Sequence, residues 1–113
     1  MRRRHWPHYE RGILDKYTVK LMQKAYQDLD EIYIYIAAHI EVRETAENLI
    51  DELERAILSL DVLPYRGAER KVGVYANKGY RQAFVKNFVI VYRVVERDKE
   101  VLIVTVKYTP SHF

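Results

Sequence analysis

The chain has no cysteine, and only four glycines and three prolines among 113 residues. Without cysteine there are no disulfides, no thiolate-ligated zinc and no thiol nucleophile. The scarcity of glycine and proline implies a chain with few breaks. No apolar run approaches the roughly 20 residues that a membrane helix needs, so no spanning segment and no membrane partner are expected. The basic start, Met1-Arg2-Arg3-Arg4, is not followed by the apolar stretch of a secretory signal. GxGxxG, P-loop, HExxH and CxxC motifs are all missing, which removes the common nucleotide, phosphate and metal signatures. A cytoplasmic location is the simplest expectation. What remains is the mixture of a globular protein, 49% hydrophobic and 31% charged, at the length of one domain.

The net charge of +3 hides a segregation. Residues 1–16 carry five basic and two acidic side chains. Residues 23–64 carry three basic and ten acidic ones, and residues 65–113 carry ten basic and four acidic ones. The chain therefore has an acidic half and a basic half, and the basic half suits nucleic acid or an acidic protein.

Residues 1–16 show no usable period and read as a poorly ordered basic arm, or as an extension that is not native. Glu10-Arg11-Gly12 can be encoded by a purine-rich stretch like a ribosome-binding site, with Leu14 as a TTG start. Residues 17–113 read as a single domain. Tyr17–Leu21 alternates like an edge strand. Met22, Ala25, Leu29, Ile32, Tyr33, Ile36 and Ile40 recur at helical spacing, and so do Val42, Ala46, Leu49, Ile50, Leu53, Ile57 and Leu60. Pro64 closes the second helix. The pair predicts an antiparallel helical hairpin. The long Gly-rich stretch 65–79 reads as a functional loop with room for a short strand at Val72–Tyr75. Three strands follow, Tyr80–Val85, Phe88–Val95 and Val101–Tyr108, joined by the turn Lys86-Asn87 and the charged loop 96–100. The fold class is α+β, ordered β-α-α-β-β-β, a small antiparallel sheet with the hairpin on one face.

Few residues carry chemistry. His5 and His8 lie in the arm, and His39 ends the first helix, where it suits the macrodipole. His112, just past the last strand, is a candidate general acid or base or a solvated tail residue. The acids of the second helix read as a solvated face, or as a docking face for a basic partner. Ten tyrosines interleave with Arg66, Arg70, Lys71, Lys78, Arg81, Lys86, Arg93 and Lys107. That is the composition of a surface that stacks on bases and contacts phosphates, and equally that of an ordinary β-rich surface.

Ala25-Tyr-Gln-Asp-Leu-Asp-Glu-Ile-Tyr-Ile-Tyr-Ile-Ala37 resembles the opening helix "A-x-x-D-L-x-x-I-x-x-Y-I" of the RelE/ParE toxins, the toxic partners of bacterial type II toxin–antitoxin pairs. Ala46 to Leu60, then Pro64 and Gly67, is similar to the second helix and the "P-x-x-G" that follows it. Gly79-Tyr-Arg81 and Asn87-Phe-Val-Ile-Val-Tyr-Arg-Val94 resemble the "G-x-R…N-Y-x-I-x-Y-x-V" strands, and Val101–Val106 stands for the last. The resemblance covers residues 17–113 in order.

It implies a toxin neutralised by a cognate antitoxin, which commonly wraps the toxin with a helix and an added strand. Operator DNA is then met only through the antitoxin complex. RelE-like members cleave mRNA in the ribosome without a metal or cofactor, whereas ParE-like members poison DNA gyrase and are not enzymes. Nuclease members carry an arginine three residues before the strand tyrosine, where this chain has Val89. Valine cannot stabilise charge on a phosphate oxygen, and the Tyr-Ile-Ala end of the first helix looks more ParE-like. The candidate catalytic residues are Arg81, Arg93, Tyr108 and His112. The candidate target-binding residues are Arg70, Lys71, Lys78, Lys86 and Lys107. Arg81, Arg93, Lys107 and Tyr108 are expected to converge on the sheet face away from the hairpin. The antitoxin is expected to bring an acidic or amphipathic segment to the basic half. The alternative function is a non-catalytic module that holds RNA or an acidic protein.

Overall fold

Helix α1 (Gln23–His39) and helix α2 (Arg43–Leu58) follow a short strand β1 (Thr18–Leu21) in a computed structural model that describes residues 16–109. The arm before Lys16 and the tail 110–113 lie outside the described residues, and with them His5, His8 and His112. A 3-10 turn, Ser59–Asp61, ends α2 ahead of Pro64. Strands β2 (Ala68–Glu69), β3 (Arg81–Val85), β4 (Phe88–Val95) and β5 (Glu100–Tyr108) complete a sheet of order β1-β5-β4-β3-β2.

The helices bury the stripes that their spacing predicts. Ala25, Leu29 and Ile36 of α1 and Ala46, Ile50, Leu53 and Ile57 of α2 are buried against one face of the sheet. Burying such side chains is worth about 1.5–3 kcal/mol each for the larger ones, which is what holds two otherwise marginal helices in place. The sheet contributes Val19, Ala83, Val85, Phe88, Ile90, Tyr92, Val101, Ile103 and Val106. Helix α1 packs on β5, and α2 on β3.

Three features depart from the sequence expectation. Strand β1 is an edge strand, but it pairs with β5 in parallel, Val19 opposite Val101, so the sheet is mixed. The hairpin carries the chain from β1 at one edge to β2 at the other, and β3 and β4 lead back to β5 beside β1. The extra strand in the long loop is Ala68–Glu69, antiparallel to β3, while the expected strand at Val72–Tyr75 is a 3-10 turn, Gly73–Tyr75. Gly73 opens that turn at φ +76°, a conformation incompatible with an extended run. Third, β5 carries an extra residue. Val91 pairs with Thr105 but Tyr92 with Ile103, leaving Val104 as a bulge. Val106 and Tyr108 thereby join the face of Val101 and Ile103.

The second face is not bare. Val89 and Val91 are 1% and 0% exposed, although they point away from the hairpin. The loop between β2 and β3 folds back there, bringing Tyr75 and Tyr80 beside the cations of β5 and β4.

Candidate functional site

Alternation along β3 decides where Arg81 lies. Ala83 and Val85 enter the core, so Arg81 shares the hairpin face and pairs with the buried Tyr92. Its Nε donates to the Gly67 carbonyl oxygen at 2.7 Å and its Nη2 to that of Tyr65 at 3.3 Å. The guanidinium also stands 5.2 Å from the Tyr65 ring centre. Gly67 is gripped from its other side as well, its N–H donating to the Tyr92 hydroxyl at 3.0 Å. A Cβ at Gly67 would collide with the Gln82 carbonyl oxygen and come within 2.7 Å of the Tyr92 hydroxyl, so the position requires glycine. Arg81 is thus a clamp at the base of the long loop.

The clamp continues outward. The Tyr65 hydroxyl donates to Glu96 at 2.5 Å, the Tyr17 hydroxyl at 2.8 Å, and Lys99 Nζ at 2.5 Å. The Lys99 bond first, then those from Tyr65 and Tyr17, lower the Glu96 carboxyl from its ordinary 4.5 to about 2. The bond to Glu96 pushes both tyrosine hydroxyls up. One surface carboxylate thus ties β1, the loop base and the β4–β5 connection together.

Arg93 and Lys107 occupy the opposite face, both exposed. The Arg93 guanidinium lies 5.9 Å from the Tyr80 ring centre, and Lys107 Nζ lies 5.6 Å from that of Tyr75. The two rings meet edge to face, 5.0 Å apart at 69°. This is a row of two aromatic rings with a cation at each end. Among the described residues, neither cation forms an ion pair. Lys71 and Lys78 are exposed in the loop of the same two tyrosines. Arg70 is partly buried there, its Nη1 donating to Gln82 Oε1 at 2.8 Å and its Nε buried without an acceptor.

The bulge carries Tyr108 to the hairpin side, where its ring meets Phe88 edge to face at 5.6 Å. The expected convergence of four residues is therefore corrected to a pair, Arg93 and Lys107. Arg81 and Tyr108 both lie on the other face, Arg81 by strand alternation and Tyr108 by the bulge. Lys86 sits apart from all of them in the β3–β4 turn, at φ 53°, with its Nζ 4.0 Å from Glu52 of α2. Val89, at the position where nuclease members of the resembled family carry arginine, is buried opposite Phe84. Sequence reasoning missed Tyr75 as a partner of Lys107 and Tyr65, Gly67 and Glu96 as the clamp. The excess of tyrosine was a signal for Tyr65 and Tyr75, and the resembled P-x-x-G motif was one for Gly67.

Tyr108 lines an apolar groove between the hairpin and the sheet. One part, of about 450 Å³, runs between Tyr35 and Ile36 of α1, Ile40 just past its end, and Leu49 and Glu52 of α2, down to Phe88. The adjoining part, of about 380 Å³, is bounded by Asp28, Glu31, Ile32 and Val106. Strand β1 covers β5 only from Glu100 to Ile103, so the edge of β5 beyond that is unpaired by any strand. Asp28 caps part of it, accepting from the Val106 N–H at 3.1 Å and from the Thr105 hydroxyl.

Fold and surfaces together define a small α+β domain, with an apolar groove on one side and a cation–aromatic row on the other. Residues 19–109 match the model of the ParE toxin of type II toxin–antitoxin systems, parDE, and the chain belongs to that family. Among solved structures it is similar to a chain of the chromosomal ParDE toxin–antitoxin system of P. aeruginosa. That match has 25% identity and a TM-score of 0.67, over 84% of this chain and 98% of the other. The RelBE2 toxin–antitoxin complex of Mycobacterium tuberculosis matches at 22% identity and a TM-score of 0.57, over 85% of this chain and 94% of the other. The YoeB/ParE toxin of Agrobacterium tumefaciens matches at 15% and 0.54, over 84% and 98%. No curated protein sequence matches significantly. The chain is a type II toxin of the RelE/ParE kind, as its sequence motifs suggested.

Proposed function

We propose that this toxin arrests growth by docking on DNA gyrase, not by cutting mRNA. The observation that carries the reading is the dispersal of the candidate catalytic residues that are described, Arg81, Arg93 and Tyr108; His112 lies outside the described residues. Metal-free cleavage through the 2′-hydroxyl needs a base, an acid and cationic phosphate stabilisers within hydrogen-bond reach of one phosphate. Among the described residues, the cations Arg93 and Lys107 lie on one face, Tyr108 lies on the other, and Arg81 directs two of its donors to backbone carbonyls. A surface without assembled chemistry can still bind, and the family match to ParE supports a protein target.

The cognate antitoxin takes the groove and the free end of β5. The groove offers apolar walls for one face of a helix, and the strand edge offers main-chain groups to an extended segment. Asp28 and Glu52 at its rim already face Lys24 and Lys86, so apolar contact and the strand edge select the segment that fills it. The sequence expectation of an acidic or amphipathic segment on the basic half differs from this proposal in the surface it names. Inducing the toxin in a bacterial host and measuring translation and plasmid supercoiling separately tests the proposal. Relaxed plasmid with ongoing translation supports it, and an immediate translation block with normal supercoiling refutes it.

A further inference from the structure

The long loop carries the two most exposed large apolar side chains among the described residues outside the helix ends. Val72 is 60% exposed and Val74 is 71% exposed. Neither takes part in the core. They flank Gly73 at the tip of a loop that is built, not slack. The Arg70 N–H donates to the Tyr80 carbonyl at 2.7 Å, the Asn77 N–H to the Arg70 carbonyl at 2.9 Å, and the Ala76 N–H to the Gly73 carbonyl at 3.1 Å. Gly73, Asn77 and Gly79 hold left-handed φ values of 76°, 56° and 84°, which set the path of the chain. At the base, Arg81 and Tyr92 clamp Gly67.

A loop ordered in this way presents its valines at a fixed place. Valine is stiff at χ1, so little side-chain entropy remains to be lost when it is covered. The surroundings are cationic. Lys71 and Lys78 are exposed beside the tip, no acid lies between residues 70 and 80, and no ion pair engages either lysine among the described residues. Through Tyr75 and Tyr80 the tip adjoins Lys107 and Arg93.

We infer that the Val72-Gly73-Val74 tip, rimmed by Lys71 and Lys78, is the element that docks into an apolar pocket with an acidic rim on a protein target. The chemistry favours protein over nucleic acid. Valine offers neither a ring for stacking nor a donor for phosphate, whereas the nearby tyrosine rings are turned toward Arg93 and Lys107. The inference rests on the docking reading above and specifies which part of the surface makes contact.

The test uses the full chain and purified bacterial DNA gyrase. Val72→Ser with Val74→Ser keeps the loop's backbone and hydrogen bonds and removes only the apolar tip. Supercoiling inhibition should weaken by about tenfold or more with an unchanged melting temperature, because central apolar anchors carry most interface energy. Lys71→Glu with Lys78→Glu should weaken it further at low salt than at high salt. If the parent inhibits gyrase and both double variants do so equally well, the loop is not the contact, while the gyrase reading survives. If the parent arrests growth but leaves gyrase untouched, the gyrase reading fails. A photo-crosslinking residue at position 74 then tests the loop itself as the docking tip. Crosslinking only to RNA, or only to a second copy of the chain, overturns it.

Discussion

Replacing Arg81 by alanine separates a clamp from a catalytic residue. On the sequence reading it would abolish toxicity and leave the melting temperature unchanged. In the structure the guanidinium makes two charge-assisted bonds to carbonyl oxygens, at 2.7 and 3.3 Å, and packs over the Tyr65 ring. The Gly67 carbonyl belongs to a buried residue, so truncation leaves an acceptor without its donor. A lost bond to a charged group costs about 1.5–3 kcal/mol. The Tyr65 bond is longer and exposed, so about 2 kcal/mol is expected for the whole side chain. In a domain near this size that lowers the melting temperature by roughly 8–12 °C. Arg81→Lys should recover less than half of it, since one ammonium group cannot span both carbonyls in the planar geometry of the fork. Urea unfolding at neutral pH, with the slope checked for constancy, gives the free energy directly. A midpoint within error of the parent, together with loss of toxicity, would refute the clamp and restore Arg81 to the active surface.

Other perturbations follow from the same contacts. Leu53, 1% exposed beneath α2, should cost about 2–5 kcal/mol when cut to alanine, while Glu52→Ala, losing one exposed 4.0 Å pair, should stay within about 0.5 kcal/mol; equal melting temperatures would place the helix face wrongly. Gly67→Ala should destabilise by about 1–3 kcal/mol, because the new methyl meets the Gln82 carbonyl and the Tyr92 hydroxyl, and a melt as stable as the parent's would contradict that crowding. Glu96 has a folded value of about 2 against an ordinary 4.5, so its stabilisation is present above pH 4.5 and fades as the pH falls toward 2. The parent should therefore lose more stability than Glu96→Gln between those values, and parallel acid-unfolding curves would show that the bonds from Lys99, Tyr65 and Tyr17 contribute nothing.

The helices and the central strand were legible because a period repeated over many residues identifies a buried stripe. Leu53, Ile57 and Ile90 lie where that period places them. The parallel pairing of β1 was not legible, since the register of Val19 with Val101 joins segments far apart in the chain and no local signal encodes it. The face of Arg81 was readable after all: Arg81, Ala83 and Val85 alternate, and the two apolar members define the buried side. Tyr108 was not, because the single extra residue at Val104 reverses the alternation of every later side chain on β5. The clamp on Gly67 depends on a tyrosine hydroxyl and an arginine from different strands, and their meeting follows only from the sheet register.

The central claim is that this toxin binds a protein target and performs no RNA chemistry, and a paired assay on purified components addresses it most directly. The toxin is titrated into a gyrase supercoiling reaction and, at the same concentrations, into programmed ribosomes whose mRNA is mapped for new ends. The account predicts loss of supercoiling with intact mRNA, and equal potency for Tyr108→Phe, whose hydroxyl has no proton to move. Cleaved mRNA with unaffected gyrase, abolished by Tyr108→Phe, would contradict it.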